Sequence, residues 1–163
     1  MHARIRTALF LLLLLAASAR GELRVEGVSD DIARNVENFV GLAAEPCDAD
    51  SQVIRRRFRK VEAEAKSALE PFGYYSPKIE KTLSFDDSCW TAILLIDPGN
   101  AVILRNTDIA IKTPSASSTD FSDLETPPKL LPGMQLRHAI YESFKESLQV
   151  RAAERGYVEG EFS

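Results

Sequence analysis

The groups in this chain that could carry chemistry are few. Cys47 and Cys89 are its two cysteines, and beyond the first nineteen residues its one histidine is His138. A multi-histidine metal site is therefore ruled out. A histidine-based triad would rest on His138 alone, and beside Leu136 and Ile140 the ordinary reading is a solvated helix position. There is no glycine-rich phosphate loop, no nucleophile elbow and no paired-cysteine motif. Acidic residues are scattered over polar faces, and nothing selects one pair as acid and base. The chain reads as a binding module and not an enzyme, with no catalytic, cofactor-binding or metal-ligating residue.

One charge run stands out, Arg55-Arg56-Arg57-Phe58-Arg59-Lys60. Runs of this kind usually form a solvated helix face. Here, however, positive charge near a helix N-terminus opposes the dipole, and few acids follow at i+4 to neutralise it. Arg56, Arg59 and Lys60 are accordingly candidates for contact with an acidic partner or lipid headgroups.

A Gly-Tyr motif occurs twice, 83 positions apart: Phe72-Gly73-Tyr74-Tyr75 and Arg155-Gly156-Tyr157. Each closes a long amphipathic segment. The apolar positions before each superimpose, with Phe58, Val61, Ala65 and Leu69 falling on Tyr141, Phe144, Leu148 and Ala152. The chain therefore reads as two copies of one small unit.

Arg4 and Arg6, an apolar run from Ala8 to Ala17 and the small-residue site Ala17-Ser18-Ala19 form a secretory signal peptide over residues 1–19. The run is too short for a bilayer-spanning helix, which needs ~20 apolar residues. Cleavage takes two Arg and no acid from 20 basic and 24 acidic residues, moving the net charge from -4 to -6. That balance disfavours nucleic acid as a partner. Two cysteines in an exported chain suggest a disulfide.

Leu23 to Val28 alternates like a half-buried strand. Ser29 can then cap a helix with Ile32, Val36, Phe39, Val40 and Ala43 as its stripe. Asp50 or Ser51 can cap a second helix, striped by Ile54, Phe58, Val61, Ala65, Leu69 and Phe72 and stopped by Gly73. Tyr75 to Phe85 has period two, with Lys81 interrupting the apolar face of Ile79, Leu83 and Phe85. Trp90 to Ile96 is nearly continuous apolar sequence, as in a strand mid-sheet or covered on both faces. The first unit, residues 22–98, is thus strand-helix-helix-strand-strand, an α+β arrangement with the third strand central. A helix over 51–72 is ~33 Å long and the returning strand ~40 Å, which brings Cys47 and Cys89 to one end of the unit.

After Asp97-Pro98-Gly99-Asn100, a second unit spans 101–163: a strand over 102–112, a loop with one short helix over 113–128, a helix over Leu136 to Ala152, and an extended segment from Tyr157. It lacks an equivalent of Trp90 to Ile96, so Ser163 reads as a truncation point.

Leu23 to Val28 with Asn35-Val36, Arg56-Arg57-Phe58-Arg59, Ala68-Leu69 with Gly73-Tyr74-Tyr75, then Tyr141-Glu142, Phe144-Lys145 and Arg155-Gly156-Tyr157 resemble the POTRA domains of outer-membrane assembly proteins. The likeness is greatest to those of the translocation and assembly module. The resemblance implies tandem β-α-α-β-β units, each a three-stranded mixed sheet on two helices, the second incomplete. It implies a periplasmic location ahead of a C-terminal β-barrel absent from this chain, that barrel being the only membrane contact. It also implies two kinds of partner: unfolded outer-membrane or autotransporter clients, and a TamB-like inner-membrane-anchored protein. The second strand is an open edge in that family, so Lys78, Ile79 and Glu80 become candidates for pairing with a client strand. Alternatives are the POTRA region of a general barrel-assembly protein or of a two-partner secretion transporter, or a small secreted protein holding an acidic ligand on its basic helix.

Overall fold

The computed structural model describes residues 21–86, 89–112, 121, 127, 129–157 and 162. The signal-peptide assignment and most of the 113–128 loop lie outside these residues. Residues 22–97 fold as β1 (Glu22–Glu26), α1 (Asp30–Phe39), α2 (Ser51–Leu69), β2 (Lys78–Phe85) and β3 (Trp90–Asp97), followed later by α3 (His138–Glu154). The sheet order is β1-β3-β2. β1 pairs parallel with β3, Leu23 opposite Ala92 and Val25 opposite Leu94, whereas β2 pairs antiparallel, Ile79 opposite Ile96 and Phe85 opposite Trp90. This is an α+β unit with a three-stranded mixed sheet, and the continuous apolar strand is its middle member.

Local chemistry explains the helix ends. Asp31 carries negative charge in the first turn of α1, where the dipole favours it. Ser29 precedes that turn, but its hydroxyl donates to Asp31 Oδ1 and does not cap the backbone. Asp50 does cap α2: its carboxylate accepts from Gln52 N at 2.7 Å. At its far end α2 tightens into a 3-10 turn over Glu70–Phe72 and stops at Gly73, φ 83°.

The core lies between the helices and one sheet face. Ile32, Val36 and Val40 meet Ile54, Val61, Ala65 and Leu69 over Trp90, Ala92, Leu94 and Ile96. Asn35 ties the two helices by donating to Ala68 O at 2.8 Å. The stripe expected for α1 needs two corrections. Phe39 is 55% exposed, and its place in the core is taken by Leu42. The helix ends at Phe39 and a 3-10 turn over Gly41–Ala44 turns Leu42 inward. β3 is covered on one face only. Leu95, on the other, is 48% exposed.

Cys47 and Cys89 form a disulfide across 42 positions, Cα atoms 4.3 Å apart. The bridge joins the loop before α2 to the β2–β3 hairpin, and Trp90 Nε1 donates to Pro46 O beside it at 3.1 Å.

Beyond Asp97 the expected strand over 102–112 is not formed. Ile103 makes a single antiparallel bridge with Gln135, flanked by Leu104 N to Met134 O and Leu136 N to Val102 O, while 105–112 is irregular. The alternation of Ile109 and Ile111 finds no neighbouring strand among the described residues. α3 forms as the periodicity predicts, yet none of its residues is buried. Among the described residues no helix is long and apolar enough to cross a membrane.

Candidate functional site

β2 is an edge strand, and which of its backbone groups are free follows from the hairpin. Asp86 N donates to Cys89 O at 3.0 Å, so that opposed pair is a bonded one. Bonded and non-bonded pairs alternate along an antiparallel ladder. With Phe85 opposite Trp90, the even-numbered residues of β2 therefore bond to β3. Those of Ile79, Lys81 and Leu83 point outward. Lys78 and Glu80 thus spend their N–H groups inside the sheet, and of the three edge candidates only Ile79 offers a free backbone donor.

Side chains along β2 sort by face. Lys78, Glu80, Thr82 and Ser84 are exposed on the open face of the sheet, while Ile79, Lys81 and Leu83 are half-buried on the face toward α2. Lys81 is not an interruption of that face so much as a strut. Its Nζ donates to Phe58 O at 3.3 Å and Arg59 O at 3.4 Å, sits 5.3 Å from the centre of the Phe58 ring, and approaches Glu62 to 3.9 Å. The methylene stem packs while the ammonium reaches helix carbonyls. Glu62 also accepts from Lys66 at 2.9 Å. That hydrogen bond, the charge of Lys66 and the charge of Lys81 hold the Glu62 carboxyl below its ordinary range.

The basic run does not form one cluster. Arg57 pairs with Glu45 at 2.9 Å on the α1 side of α2. At 100° per residue, Arg56 and Lys60 lie on the solvent ridge and Arg59 turns toward β2. Arg55, not among the sequence candidates, places its guanidinium carbon 4.9 Å from the centre of the Phe85 ring at the sheet edge. The lone lysine in an otherwise apolar alternation was the signal for Lys81. Arg55 had none beyond its place in the run.

Gly73, Tyr74 and Tyr75 do more than end a helix. A Cβ on Gly73 would stand 2.4 Å from Leu136 O. Gly73 O accepts from Val102 N at 2.8 Å, Phe72 O from Gln135 Nε2 at 2.7 Å, and Arg137 covers the Phe72 ring at 5.2 Å. Tyr74 packs against the core, while Tyr75 Oη and His138 Nε2 lie 3.0 Å apart. Arg137 also pairs with Asp31 at 3.2 Å. The Asp31 carboxyl is held below its usual value, chiefly by the Ser29 hydroxyl and then by Arg137. The motif is therefore the seat on which Val102 and residues 135–138 rest. Gly156 has the same backbone, φ 85°, with nothing within 4 Å of its Cβ position, and Tyr157 packs obliquely on Phe121 with ring centres 6.0 Å apart.

Residues 22–98 match the family model described as "POTRA domain TamA domain 1". Residues 22–98, a little under half of the chain, are thus similar to a POTRA domain. Solved structures of related arrangement include Haemophilus influenzae BamA POTRA3-5, 19% identical with TM-score 0.40 over 85% of this chain. They also include POTRA1-2 of the periplasmic domain of Omp85 from Anabaena, 16% identical with TM-score 0.37 over 86% of this chain and 81% of that one. The present chain spans 51% of the BamA chain. POTRA domains of Omp85-family proteins are periplasmic interaction modules. Among the described residues no group of three or more His, Cys, Asp or Glu side chains could hold a metal ion.

Proposed function

We propose that this chain is an exported, periplasmic protein-interaction module of a TamA-type outer-membrane assembly factor, acting by binding and not by catalysis. Its first POTRA domain receives extended segments of unfolded outer-membrane or autotransporter clients along β2. A TamB-like inner-membrane-anchored protein is its second partner, and residues 101–163 belong to a following unit of the same kind. The observation that carries this reading is the unpaired outer edge of β2. Its outward N–H and C=O groups are a template for an added strand, and such pairing is largely indifferent to sequence.

Position-specific crosslinking tests it. A photoreactive residue at Lys81 should capture unfolded client in the periplasm, and one at Asp30, on α1, should not. With the photoreactive residue kept at Lys81, proline at Ile79 removes an outward donor without touching the β2–β3 ladder, a substitution an edge strand tolerates. It should abolish capture while leaving the fold intact. Equal capture by the proline variant would falsify strand addition at β2.

A further inference from the structure

The outer edge of β2 runs beside one shoulder of α2, and that shoulder is positively charged. Arg55, Arg59, Glu62 and Lys66 share one side of the helix at 100° per residue. Two contacts show that this side faces the edge: Arg55 over Phe85, and Lys81 against Phe58 and Glu62. The only acid on the shoulder, Glu62, is already engaged by Lys66 and Lys81. Among the described residues, Arg55 and Arg59 take part in no ion pair. The opposite, open face of β2 has no such bias, since Lys78 and Glu80 carry opposite charges beside neutral Thr82 and Ser84.

A strand laid against β2 would turn every second side chain toward this shoulder. Residues two apart on a strand are separated by ~6.7 Å, and residues four apart on a helix by ~6 Å. Two acids at i and i+2 of the incoming strand therefore match Arg55 and Arg59 in spacing as well as sign. Bidentate guanidinium–carboxylate contacts favour that arrangement.

We infer that the first POTRA domain selects extended segments bearing Asp or Glu at alternate positions, read by Arg55 and Arg59. This selection rests on the strand-addition reading, on which it imposes a chemical preference. Backbone pairing supplies attachment, and the charge pair supplies choice and register.

The test uses the whole exported chain and three ten-residue peptides in which Thr alternates with Glu, Gln or Lys. The Glu peptide should bind about tenfold more tightly than the Gln peptide at low salt, with the Lys peptide weaker still, and the gap should narrow as salt rises. R55Q/R59Q should erase the gap and leave Gln-peptide affinity unchanged. R56Q/K60Q removes the same charge from the solvent ridge and should leave the gap in place. Equal effects of the two double variants would overturn the inference in favour of bulk charge. Equal binding of the Glu and Gln peptides would overturn it while strand addition stood. No binding by any peptide, together with failed crosslinking at Lys81, would remove strand addition itself. Loss of phosphatidylglycerol-vesicle binding in R55Q/R59Q with no change in peptide binding would assign the shoulder to lipid instead.

Discussion

α2 and α3 are written with the same apolar spacing and end in the same glycine conformation, yet they have different fates. Val61, Ala65 and Leu69 of α2 are fully buried, whereas Tyr141 of α3 is 46% exposed and Phe144 and Leu148 are only half-buried. The difference lies in what each helix meets. α2 lies across a sheet whose middle strand presents Trp90, Ala92, Leu94 and Ile96, and α3 has no comparable apolar surface among the described residues. A stripe specifies a helix and a direction, but burial stabilises only where a second surface accepts it. The two Gly-Tyr motifs repeat the contrast: one is a crowded seat, the other is open.

The sharpest way to break the contrast is through the disulfide, which belongs to the α2 unit alone. Replacing both Cys47 and Cys89 with Ser should cost about 4 kcal/mol in the chain-entropy account. Urea unfolding followed by Trp90 fluorescence should show it, and hydrogen exchange should bring α2 closer to α3 in protection. Next is a matched pair of truncations. Leu69→Ala should destabilise by about 3 kcal/mol because the site is sealed, and Leu148→Ala by less than about 1 kcal/mol; similar costs would show that α3 is packed as tightly as α2.

A smaller contrast separates the glycines. Alanine at Gly156 should cost about 1 kcal/mol for left-handed backbone alone. At Gly73 the same strain is joined by a collision with Leu136 O. Gly73→Ala should therefore cost measurably more, and the excess should appear as faster amide exchange at Val102 and Leu136. The smallest effect concerns acid. The Asp31 carboxyl has a lowered folded value, so its contribution is present above the ordinary aspartate range and lost as pH falls through the lowered one. NMR shifts of Arg137 should follow that titration, and Asp31→Asn should remove it.

Much of the first unit was legible in the sequence. Alternation in Leu23–Val28, two helical stripes, the Gly73 stop and the unbroken run from Trp90 gave both the elements and the central strand, and the length match of α2 with β2 gave the disulfide. What escaped depends on neighbours distant in sequence. Phe39 has the right period for the core, but the 3-10 turn after it delivers Leu42 there instead. Val102 to Lys112 has a strand's alternation without a partner to pair with. Which residues of β2 donate outward depends on hairpin register, so of Lys78, Ile79 and Glu80 only Ile79 does, joined by Lys81 and Leu83. Arg55 is one arginine among four until Phe85 fixes its side of the helix.

The order β1-β3-β2 places the first strand made beside the last one made. Chains are synthesised from the N-terminus, so β1 has no neighbour in the sheet until Trp90–Asp97 is available, some seventy residues later. Neither helix has its floor before that point, and the cysteine partner arrives only one residue ahead of it. The unit must therefore close late and nearly all at once, with high contact order and slow kinetics for its size. A nascent chain that stays open until its final strand appears is one that can still be threaded.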